Sequence, residues 1–124
     1  MFEMIGRLNS LVKGLEKDIG PFTICAIVLR SDSFDKWDII FSAPWLSSKK
    51  MDSYAVISRI LRHGLSDSDL AKVSRFVILD QDDPSVAFLL GAKRTWSKGC
   101  QELSARELSE NFKFSVEKAY LVYP

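Results

Sequence analysis

Apolar side chains recur at a helical interval over the first twenty residues. Ile5, Leu8, Val12, Leu15 and Ile19 follow one another at spacings of 3, 4, 3 and 4, and Leu11 widens the stripe. The spacing predicts a helix over 2–19, stopped by Gly20 and Pro21, because glycine takes a left-handed cap and proline cannot continue a helix. Gly6 and Gly14 each cost about 1 kcal/mol against alanine there. They mark either a close approach or a weak helix.

The period then falls to two. F-T-I-C-A-I-V-L-R (22–30) is apolar on both alternating faces, the pattern of a strand covered on both sides. S-D-S-F-D-K supplies a turn, and W-D-I-I-F-S-A (37–43) returns as the second strand of an antiparallel hairpin. Trp37, Ile39, Phe41 and Ala43 share one face of it, and Asp38, Ile40 and Ser42 the other. Pro44 ends the strand, lacking the N–H that a ladder needs.

Ser47 or Ser48 is placed to cap a helix running to about His63, with Gly64 as its stop and Met51, Tyr54, Ile57, Ile60 and Leu61 as its apolar side. Ser66 to Asp69 reads as a capping box with aspartate in the glutamate position, opening a short helical turn. R-F-V-I-L (75–79) is a third strand. Asp83-Pro84 starts a helix over about 84–94, and 95–103 reads as loop. Ser104 with Glu107 caps a short helix to Glu110, and 112–123 is the last strand. The order α-β-β-α-β-α-α-β predicts an α/β (α+β) fold: a single domain over 1–124, with a mixed four-stranded sheet and packed helices. The unit from the second strand to the third should cross over right-handed if those two lie parallel.

Composition agrees with a soluble globular domain: 124 residues, 47% apolar and 27% charged, enough chain to build a core without staples. No linker, repeat or low-complexity tract appears. No apolar run approaches the roughly 18–20 residues that span a bilayer. The opening residues lack the basic and apolar regions of a secretory signal, so a cytoplasmic location is expected. Cys25 and Cys100 are far apart in sequence, and free thiols are the expected state. The net charge of +1 argues against a protein devoted to neutralising phosphates.

Several chemistries are excluded. One histidine, His63, cannot build a two-histidine metal site, and two cysteines cannot build a zinc finger. The six glycines form neither a dinucleotide fingerprint nor a Walker loop, and no G-x-S-x-G elbow occurs. No aspartate or glutamate stands two residues before a lysine, as the [DE]-x-K pattern of one nuclease architecture requires.

A few constellations survive. Asp80, Asp82 and Asp83 follow a strand and could hold Mg²⁺ or Mn²⁺ through oxygen ligands; the competing reading makes Asp83 a helix cap and the others loop residues. Lys93, Arg94 and Lys98 surround Trp96, cations beside a stackable ring as in single-strand nucleic-acid binders, or equally a solvated helix end. Arg59, Arg62 and His63 are spaced to share one side of their helix. A Cys25–His63 or Cys100–His63 dyad lacks anything to orient the histidine. Trp37 in one register faces Arg30 as a cation–π pair. Trp45 is a binding anchor if exposed and a staple if buried.

The function expected is therefore a non-catalytic protein-interaction or oligomeric accessory domain, acting as a homo-oligomer or on a protein partner and needing no cofactor. Its docking surface could be the apolar stripe of the first helix, which could serve a partner as well as a core, or the apolar tail 119–123 at a sheet edge. The alternative is a Mg²⁺- or Mn²⁺-dependent phosphodiester hydrolase or a nucleic-acid-binding protein.

Overall fold

A computed structural model describes residues 2–32, 34–93, 101–102, 105–112 and 115–123. The expected elements are present in the expected order: α1 (Phe2–Leu15), β1 (Ile24–Arg30), β2 (Trp37–Ser42), α2 (Met51–Gly64), the short α3 (Asp67–Leu70), β3 (Val73–Ile78), α4 (Pro84–Lys93), β4 (Gln101–Glu102), α5 (Ala105–Phe112) and β5 (Val116–Tyr123). The four expected strands form one mixed sheet. The two-residue β4, in a stretch expected to be loop, extends it to the order β3-β2-β1-β5-β4. β2 and β3 are parallel, and the other neighbours are antiparallel.

Period-two alternation sends each strand's side chains to two covered faces. On one, Cys25, Ile27, Ile39 and Phe41 meet Met4, Leu8 and Val12 of α1 and Ile57 and Leu61 of α2. On the other, Ile24, Ala26, Val28 and Ile40 meet Val86 and Leu89 of α4 and Leu108 of α5. The result is three layers, helices on both faces of the sheet. β5 reaches both cores although its apolar positions do not alternate cleanly. Register shifts against β1 at Cys25/Ala26 and at Leu29/Arg30 let Val116 and Ala119, three apart, share a face.

Local differences from the sequence reading have physical causes. α1 stops at Leu15 because the amides of Asp18, Ile19 and Gly20 all converge on the Leu15 carbonyl. Ile19 therefore leaves the stripe and is 41% exposed. Ser47 and Ser48 do not cap α2, whose N-cap is Lys50 without a side-chain bond. Ser48 is held instead by Asp80. Gly64 lies inside α2, where a Cβ would run into Leu11 of α1, so it serves packing rather than a left-handed stop. The Ser66–Asp69 capping box is formed as read, whereas Ser104 of the other box lies outside the described residues. Trp37 sits opposite Leu29, buried with its ring 5.9 Å from that of Tyr120, and not against Arg30.

Gly6 and Gly14 face open space, with nothing within 4 Å of an added Cβ. They weaken the helix without enabling any approach. Gly6→Ala and Gly14→Ala should each raise stability by about 0.5–1 kcal/mol. Urea unfolding checks this, and a loss of stability would show that one of these positions needs glycine.

Candidate functional site

Three charged residues interrupt otherwise apolar strands, one in each of β1, β2 and β3, and the sheet brings them together. Asp38 is 1% exposed, and its Oδ2 accepts from Arg30 Nε at 2.9 Å and from Arg75 Nε at 3.1 Å. Arg30 also reaches Asp32 Oδ1 at 3.3 Å and Ser74 Oγ at 3.4 Å. Asp38 Oδ1 is buried and has no hydrogen-bond partner among the described residues. The arrangement ties the start of β3 to the hairpin. With its carboxylate surrounded by guanidinium groups, it is a strand clamp and carries no nucleophile.

Beside the clamp lies the open edge of the sheet. β3 is an outermost strand, and no strand among the described residues pairs with its far side. The Leu79 amide donates to Phe41 across the β2–β3 pair at 2.9 Å. By alternation the peptide groups of Val77 and Leu79 face β2, and those of Phe76 and Ile78 point outward. α2 flanks this edge with the side chains of Met51, Tyr54, Ser58 and Arg62, spaced to share one side of the helix. The Tyr54 and Phe76 rings lie 5.9 Å apart. A groove of about 310 Å³ runs between helix and strand, floored by Leu61, Leu70, Val73 and Phe76 and rimmed by Arg62.

Two of the large exposed apolar side chains flank this edge. Met51 is 87% exposed and Tyr54 37% exposed, both on the α2 flank. Phe34, 92% exposed at φ 54°, stands in the hairpin turn at the end of the sheet where the Trp37 amide donates to Lys72, just before β3. Single exposed apolar residues need no explanation, but a group bordering an unpaired strand does.

The other candidates are placed as follows. Asp80 holds the loop before α2, accepting from the Ser48 amide at 2.9 Å and from the Ser48 hydroxyl. These bonds keep its carboxyl below the usual range. Asp83 caps α4 by accepting from the Ser85 amide at 2.8 Å, and Asp82 is exposed. Among the described residues no group of three or more metal-ligating side chains occurs. Lys93 ends α4, while Arg94, Trp96 and Lys98 lie outside the described residues, as does Cys100.

Trp45 is a staple. Its Nε1 donates to the Pro21 carbonyl at 3.0 Å, its ring packs edge-on against Phe22, and a Cβ on Gly20 would stand 3.0 Å from it. Arg59 and His63 line a separate groove against α1, so Arg62 does not share their side. Cys25 is fully buried, and burial pushes its thiol far up, leaving no nucleophile. The tail strand β5 lies between β1 and β4, and β4 pairs only its Leu121 and Tyr120, whereas β3 is an outermost strand along its whole length.

The fold and this site define a mixed α/β domain whose outermost strand β3 is apolar-flanked and, among the described residues, unpaired on its far side. No family model matches the chain, and comparisons with curated proteins and with solved structures give no match. No helix among the described residues is long and apolar enough to cross a membrane.

Proposed function

We propose that this protein is a non-catalytic interaction domain that pairs a strand of another polypeptide with β3. The observation that carries the reading is the edge of Val73–Ile78, unpaired among the described residues, running beside the α2 groove. β-strand addition needs those two features: outward peptide groups for affinity, and a pocket for alternate side chains. A six-residue strand rich in β-branched and aromatic residues, unpaired on its far side among the described residues, is also a template for unwanted pairing, so a partner strand gives it both a use and a cover. The sequence-based preference for an assembly protein agrees with this reading, though it placed the edge on the tail.

Selection of extended peptides from a random library against the protein tests it. Selected binders should protect the amide hydrogens of Phe76 and Ile78 from exchange. They should also be lost in Phe76→Pro, which removes an outward donor and leaves the amides of Val77 and Leu79 for β2. Binders that protect other amides, or that bind Phe76→Pro unchanged, would rule the reading out.

A further inference from the structure

The charges along the β3 edge indicate what kind of strand it takes. Arg62 and Lys72 form no ion pair among the described residues, and neither has a hydrogen-bonded carboxylate. Arg75 is committed through Nε alone; its side chain is 52% exposed, and its two Nη groups have no partner among the described residues. The buried or half-buried carboxylates beside the edge are already engaged. Asp38 is shared by two arginines, Asp69 belongs to Arg7, and Asp80 belongs to Ser48. The start of the edge is therefore lined by cations with spare donors.

The two sides of the edge differ in chemistry. Phe76 and Ile78 join the core under α1 and α2, so an incoming strand's side chains on that side enter the apolar groove. Arg75 pairs with Asp38 on the opposite face, whose core includes Ile40 and Val77, so side chains on that side meet the Arg75 guanidinium. Cross-strand neighbours on one face interact directly, and an opposite-charge pair is favourable where like charges are not.

Resting on the reading of β3 as the docking edge, we infer that its occupant is an extended segment of another protein in which apolar and acidic residues alternate. The apolar side chains fill the groove between α2 and β3. The carboxylates on the other face meet Arg75.

Three labelled peptides of about eight residues, a usual strand length, make the test by fluorescence anisotropy: alternating valine–glutamate, valine–threonine and valine–lysine. The valine–glutamate peptide should bind about five- to tenfold more tightly than valine–threonine, and valine–lysine most weakly. Added salt should erase that preference. Arg75→Gln, which keeps a donor for Asp38, should narrow it with the fold retained by circular dichroism; an unchanged preference in a folded Arg75→Gln would overturn the acidic occupant. Equal binding of the glutamate and threonine peptides with protection of Phe76 and Ile78 would overturn the acidic occupant and leave the docking edge standing. Concentration-dependent dimers that protect those same amides would make a second copy the occupant and also overturn it. If none of the peptides binds, the acidic occupant is wrong, and the library selection alone then decides whether the edge docks anything.

Discussion

Arg30→Met should destabilise the protein by about 2–3 kcal/mol, whereas the double substitution Arg30→Met with Asp38→Leu should recover much of that loss. The single change leaves a buried carboxylate with only the half-exposed Arg75 beside it, and Asp38 Oδ1 already lacks a partner. Removing one member of a fully buried pair costs about 3–5 kcal/mol. The remaining arginine and the partial exposure of Arg30, 19%, bring the figure down. Removing the carboxylate as well removes both the stranded charge and the orphaned oxygen, and leucine fits a face already made of Ile40, Val28 and Ala26. Urea unfolding of the four members of the cycle measures this. Simple additivity of the two single losses would mean that the side chains do not act as a unit.

That clamp shows where the sequence was legible and where it was not. The strands were readable because burial on both faces makes their alternation redundant: almost any apolar residue in 22–30 signals the same thing. α4 was readable because Asp83 and Pro84 act locally, within one turn of the helix they start. The Ser66–Asp69 box likewise formed from four neighbouring residues.

What could not be read depends on strand order. Arg30, Asp38 and Arg75 each break an apolar run, yet only the β1-β2-β3 adjacency turns three interruptions into one cluster. A lone charge in each of three strands was the available signal. Which edge is exposed was hidden for the same reason: A-Y-L-V-Y is apolar enough for an edge or an interior strand, and only the structure shows it paired with β1 on one side and, at Tyr120 and Leu121, with β4 on the other. Arg59, Arg62 and His63 looked alike because helical spacing says they are near one another. It does not say that α1 lies on one flank and β3 on the other.

Acid should weaken the fold through Asp69, which joins α1 to the turn before β3. Its carboxylate, 0% exposed, accepts from Arg7 Nε at 2.5 Å and from Arg7 Nη2, and it completes the capping box with Ser66. The Arg7 hydrogen bonds, helped by those from Ser66, lower its pKa from 3.8 to about 2. A group whose folded pKa is depressed stabilises the native state fully above its unfolded value. That stabilisation is lost as pH falls through the folded value. The window for Asp69 is therefore from about pH 4 down to pH 2, with stability rising with pH across it. Arg7 is 43% exposed and regains water when released, so Asp69→Asn should cost about 2 kcal/mol at neutral pH, less than a fully buried pair would. The same variant should show a shallower dependence of unfolding free energy on pH across that window. If the slope is unchanged, another carboxylate carries the acid sensitivity, with Asp80, which Ser48 also holds in its charged form, as the next to replace.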